Sequence, residues 1–158
     1  MQINLGSISL KVYVSKTAKR IGVCSQKSDE PDNHCLLWDF DDARYVNILY
    51  TLYGLQEEYK LPRIYVIESS LNHYHAYCFA SRSFREVLHI LSDTPEICMT
   101  YLRIGATRGY FTLRISPRAD APKFELKTII PSRIADEMLT DDVTVNEYIT
   151  SNRGRKNA

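Results

Sequence analysis

The sequence predicts an α+β domain: an antiparallel sheet in split β-α-β, ferredoxin-like order, with helices on one face and the other face open for chemistry. Three observations predict it. Segments rich in β-branched and aromatic residues outnumber helical ones, the middle of the chain reads β, α, β, β, α, β, and the central strands alternate large apolar with polar side chains. A length of 158 residues has room for one domain, taken as 1–150, and a short polar, basic tail over 151–158. With 44% hydrophobic and 25% charged residues the composition is that of a globular chain, not a disordered one.

The elements follow in order. Ser9 to Val14 and Lys19 to Cys24 read as strands, and the polar, Pro-containing stretch SQKSDEPDNH as a surface loop. Leu36 to Phe40 reads as a buried strand that runs into carboxylates. A helix is expected from Asp42, whose side chain can cap it, with Val46, Leu49, Tyr50, Tyr53 and Leu55 recurring at helical spacing. It should stop near Tyr59, because Pro62 disfavours helical geometry at Leu61.

RIYVIESS and HYHAYCFA, joined by Leu71 and Asn72, form the clearest hairpin. Arg82 to Leu91 is a second helix with Phe84, Val87, Leu88 and Leu91 on one stripe. Asp93 to Thr100 starts with Asp-Thr-Pro and suggests a further short helix. Gly109 to Ser116 and Phe124 to Ile130 are the last strands, and Ser132 to Leu139 has the pattern of a short helix.

The balance of 20 Lys+Arg against 19 Asp+Glu leaves a formal charge of +1, which argues against gripping nucleic acid by bulk charge. The sum hides a separation. Acidic residues gather around Asp39 and Asp41, while Tyr101 to Arg118 carries Arg103, Arg108, Arg114 and Arg118 without one Asp or Glu. The four cysteines contain no CxxC pair and read as buried free thiols. No charged segment followed by a long apolar one opens the chain, and no apolar run approaches about 18 residues, so a soluble, cytoplasmic protein with no membrane partner is expected.

Alternation along strands sorts the polar side chains. Leu36, Trp38 and Phe40 should pack under the helices, which turns Asp39 and Asp41 to the open face together. The small Ala76 and Cys78 suit helix packing, which puts His73, His75 and Tyr77 on the open face, and Thr112 and Arg114 join them from the later strand. Carboxylates spaced D-h-D on a strand are a natural ligand pair for Mg²⁺ or Mn²⁺. A strand end running into an acidic turn that caps a helix gives the same spacing. His73 and His75 are either surface imidazoles or, at i and i+2, ligands of one metal ion, as in rolling-circle nickases of the HUH type. Those enzymes also need a tyrosine nucleophile, commonly in Y-x-x-K, and none of that form follows the histidines. Arg114, expected beside the acidic pair, is the best candidate for a phosphate contact, ahead of Arg103 and Arg108.

LLWDFD resembles the first motif, hydrophobic-D-hydrophobic-D, of archaeo-eukaryotic primases and primase-polymerases. ESSLNHYHAY resembles their second motif, and RGYFTLRIS is similar to the late strand that brings a basic residue to the nucleotide. The likeness is closest to small plasmid and virus replication primases and covers roughly Cys35 to Pro117. It implies an RRM-like fold, a magnesium or manganese cofactor held by Asp39 and Asp41, and contacts from Ser70 and His75 to the phosphates of an incoming nucleotide, aided by Arg114. Its partners would be a single-stranded DNA template, nucleoside triphosphates and a replicative helicase. A third acidic ligand, usual in that family, has no match in YFTLRIS; Asp93, Asp120 and Glu125 are the nearest carboxylates.

The function expected is therefore a nucleotidyltransferase that makes primers on single-stranded DNA for a mobile element, with Asp39, Asp41 and His75 as its catalytic residues. Tyr77 and Tyr110 would stack bases, and Arg103 and Arg108 would contact nucleic acid. The alternatives are an HUH endonuclease using His73 and His75, and a catalytically silent nucleic-acid-binding domain.

Overall fold

The computed structural model describes residues 2–5, 8–11, 22–26, 32–114 and 125–135. Strands β1 (Gln2–Leu5) and β2 (Ile8–Lys11) pair with each other. Strand β3 (Gly22–Cys24) pairs with β7 (Thr112–Arg114) in a second two-stranded ribbon. The main sheet is antiparallel and four-stranded, in the order β4 (Asn33–Phe40), β6 (His73–Ser83), β5 (Ile64–Ser70), β8 (Glu125–Ile130). Helices α1 (Tyr45–Tyr59), α2 (Phe84–Ser92) and α3 (Met99–Arg108) complete the fold. The protein is α+β. Strand β6 lies between β4 and β5 and pairs antiparallel with both.

One face of the sheet is the main core. Leu36, Trp38 and Phe40 of β4, Ile64 and Val66 of β5, and Ala76, Cys78 and Ala80 of β6 pack against Ile48 and Leu52 of α1, Val87 and Leu91 of α2, and Leu102 of α3. The small residues of β6 leave room for helix side chains, as expected. The Trp38 indole is fully buried and donates to Thr94 Oγ1 at 3.1 Å. This satisfies a donor that burial would otherwise leave costly.

The opposite face is not open along its length. Cys35, Leu37, Tyr65, Ile67, Tyr77 and Leu113 form a second buried cluster. The apolar run LLW is the reason: with large residues at consecutive positions, β4 needs cover on both faces. Leu113 of β7 supplies part of it. Ser25 fastens that ribbon to the sheet: its hydroxyl accepts from the Phe111 N–H at 2.9 Å and lies 3.1 Å from His34 Nδ1, and its carbonyl accepts from Cys35 N–H at 2.8 Å. Strand β7 therefore stands in a separate ribbon and not in the main sheet.

Several element boundaries differ from expectation. Asp42 does not cap α1; it takes a left-handed φ of 55°, which Asp tolerates, and the helix starts after Arg44 with no side-chain cap. The face that α1 buries is Ile48, Leu52 and Leu55, whereas Val46, Tyr50 and Tyr53 are exposed. The helix has apolar residues on two sides, and spacing alone does not say which one meets the sheet. Its end comes at Tyr59, as expected, with Lys60 left-handed at φ 51°. The turn residue Asn72, φ 59°, closes the β5-β6 hairpin.

Residues 93–98 are irregular, and α3 begins only at Met99. Gly105 in its middle weakens the helical signal. Residues 25–34 are not all loop, since Asn33 and His34 belong to β4. Residues 132–135 are not helical, and 136–139 lie outside the described residues, as do Ser116, Arg118, Asp120 and the tail 151–158. No helix among the described residues is long and apolar enough to cross a membrane.

Candidate functional site

The exposed end of the second face is built by cross-strand register. Asp39 of β4 is paired with His75 of β6, and His75 Nε2 lies 3.3 Å from Asp39 Oδ1. Two positions further along, His73 Nδ1 lies 2.7 Å from Asp41 Oδ1, and its Nε2 is 3.9 Å from Asp42. An ionised carboxylate only accepts hydrogen bonds, so each imidazole donates to its aspartate. In a neutral His75 that leaves Nδ1 as acceptor, and the Tyr77 hydroxyl stands 3.4 Å from it. Tyr77, His75 and Asp39 thus form a chain that begins in the second core.

Cys98, the residue before α3, is the group that reading strands and motifs missed. Its backbone N–H donates to the Asp39 carbonyl at 2.8 Å, and its thiol is hydrogen-bonded to the Asp41 carboxylate. One ligand atom each from Asp39, Asp41 and Cys98 lie within 4.8 Å of one another. Burial alone would raise the Asp41 pKa, but hydrogen bonds from Cys98 and His73, with the charges of His73 and His75, outweigh it and hold the carboxyl below its ordinary value. The Cys98 thiol is pushed up, by burial first and by its bond to Asp41 second. At neutral pH the pair is therefore a carboxylate accepting from a thiol.

Asp39, Asp41, Ser70, His73, His75 and Arg114 all line one cleft of about 220 Å³, completed by Ser69, Thr112 and Leu113. Strand alternation predicts the grouping of Asp39, Asp41, His73 and His75, whereas Ser70 is expected only from the family resemblance. Arg114 arrives by a route the sequence reading did not contain, from the separate β3-β7 ribbon. Ser69 is buried, and its hydroxyl donates to the His73 carbonyl at 3.3 Å, which steadies the turn carrying Ser70 and His73.

Other expected residues stand elsewhere. Tyr77 is buried in the second core, so it offers no ring to stack a base. Arg103 and Arg108 are exposed on α3, not on a strand, and neither they nor Tyr110 line the cleft. Asp93 accepts from the Tyr59 hydroxyl at 2.7 Å, and Glu125 on β8 lies 3.8 Å from Lys127, so neither serves as the third carboxylate. The four cysteines are free, but only Cys35 and Cys78 are buried; Cys24 is exposed and Cys98 half-buried.

Two carboxylate oxygens at this spacing fit one divalent cation, and the lowered pKa of Asp41 keeps a ligand charge in place. Comparison with family models, with curated proteins and with solved structures finds no match to the chain. The chemistry of the cleft has to be read from its own residues.

Proposed function

We propose that the protein is a metal-dependent nucleotidyltransferase that makes primers on single-stranded DNA, a primase-polymerase of the kind small replicating elements use. The observation that carries this reading is the meeting of Asp39, Asp41, Ser70, His75 and Arg114 in one cleft. The expected RRM-like order is supported by β6 lying between β4 and β5, the two strands that α1 connects.

Asp39 and Asp41 hold a divalent ion that, when bound, lowers the pKa of a primer 3′-hydroxyl and offsets the charge of a triphosphate. His75, deeply buried and bonded to Asp39, orients that carboxylate. His73 does the same for Asp41 from a more exposed position. Arg114 and Ser70 line the same cleft and would contact phosphate oxygens of the incoming nucleotide, which a guanidinium suits by its planar fork of donors. The reaction joins the 3′-oxygen to the α-phosphorus and releases pyrophosphate.

The HUH alternative is less well supported, because each histidine is turned to a different aspartate and the two do not converge. The one Y-x-x-K of the chain, Tyr13 to Lys16, precedes the histidines and lies outside the described residues.

Incorporation of labelled nucleotide on single-stranded templates tests the proposal. Asp39→Asn and Asp41→Asn should each lower the rate by roughly 10²-fold or more, since several kcal/mol of charge stabilisation are lost. Full activity in either variant would sink the mechanism. A covalent DNA adduct stable to denaturation would favour the HUH reading, and salt-dependent binding of single strands without synthesis would favour a binding module.

A further inference from the structure

We propose that Cys98 is the third protein ligand of the cation held by Asp39 and Asp41, and that its sulfur makes the site select softer ions such as Co²⁺, Zn²⁺ or Cd²⁺ over Mg²⁺. This rests on the reading of the two aspartates as cation ligands and adds the class of ion. Donors that share one ion at roughly 2.0–2.5 Å stand no more than about 5 Å apart. The three ligand atoms meet that limit, all lying within 4.8 Å of one another, and among the described residues no other group of His, Cys, Asp and Glu does so.

The position of the thiol is fixed by the backbone. Cys98 N–H is tied to the Asp39 carbonyl at 2.8 Å, and the residue is the N-cap of α3, with φ −61° and ψ 109°. The thiol bonds to Asp41, which itself lines the cleft with His73, His75 and Arg114. His73 and His75 lie 2.7 and 3.3 Å from Asp41 and Asp39, as ligating carboxylates are commonly hydrogen-bonded by neighbouring groups.

A soft sulfur in place of a third carboxylate changes which ion fits. Mg²⁺ takes oxygen ligands and retains several waters, whereas thiolate favours softer ions. Coordination by sulfur expels the thiol proton to solvent, one per ion bound.

The test uses the full chain and the metals alone. Co²⁺ and Cd²⁺ titrations are read by sulfur-to-metal charge-transfer absorption and by proton release, and Mg²⁺ binding by calorimetry. Because Cys24 is exposed on β3, Cys24→Ser is the control for binding at another thiol. The charge-transfer band should persist in Cys24→Ser and vanish in Cys98→Ser, whose Cd²⁺ affinity falls about tenfold or more while Mg²⁺ affinity stays within about twofold. Cys98→Asp should reverse the preference towards Mg²⁺. Retention of the band and of Cd²⁺ affinity in Cys98→Ser overturns the proposal. Failure of the underlying reading looks different: Asp39→Asn would then leave Mg²⁺ and Cd²⁺ affinity alike unchanged, and both would fall.

Discussion

Gly105 shows how one missing side chain supports the fold. It is buried on α3, and a Cβ at that position would collide with the ring of Phe111. That ring is itself fixed, stacked on Phe84 at 5.9 Å and packed against Tyr101 at 5.2 Å between centroids. Gly105→Ala should therefore destabilise the protein by about 1–3 kcal/mol through overpacking. Gly54, inside α1, has no atom within 4 Å of an added Cβ, so Gly54→Ala should stabilise by roughly 0.5–1 kcal/mol. Urea denaturation of the two variants checks the opposite signs. The Asp39 and Asp41 pair was legible at this scale because strand alternation has a period of two. Cys98 was not, because it comes from an irregular segment whose place depends on a hydrogen bond to a distant strand.

Among the helices, α2 has the best-defined start. The Ser83 hydroxyl accepts from Glu86 N–H at 3.3 Å, and the Glu86 carboxylate accepts from Ser83 N–H at 2.9 Å. Ser83→Ala should cost about 1 kcal/mol, measured by thermal or urea unfolding. The Ser83 hydroxyl first, and its backbone N–H second, hold the Glu86 pKa below the ordinary value. The sign follows: the contribution is present above the unfolded glutamate pKa of about 4.3 and is lost as pH falls through the lower folded value. The difference in stability between the wild type and Ser83→Ala should accordingly shrink in acid. An unchanged difference would show that the carboxylate half of the box does not contribute. The stripe of α2 could be read from sequence because its polar side is consistently polar. In α1, Tyr50 and Tyr53 carry apolar surface on the solvent side, and only packing against β4 decides the rotation of the helix.

For the molecule as a whole, the sheet carries apolar cover on both faces and leaves polar groups only at one end. Leu52 lies in the helix-side core and Leu113 in the second cluster, and both are buried. Leu113→Ala should cost about 2–5 kcal/mol, like Leu52→Ala, by loss of burial and creation of a cavity. An open face would make the change nearly silent, so equilibrium unfolding separates the two arrangements. The consecutive Leu36, Leu37 and Trp38 already signalled a strand enclosed on both sides, but the alternation of Asp39 and Asp41 suggested a free face for the whole strand. The near-zero formal charge of +1 also has a local meaning. Arg114 shares the cleft with the aspartates, while Arg103 and Arg108 lie on α3.

The continuous pairing of Leu36 to Phe40 with Cys78 to Tyr74 has a further consequence for error in folding. A misalignment of β4 by one position would drive Asp39 and Asp41 into the helix-covered core and expel Trp38 and Phe40. Such a chain would bury charge and lose its largest apolar anchors at once. The same spacing that assembles the cleft thus proofreads the sheet: a molecule with this hairpin mispaired would have neither a stable core nor a partly working site.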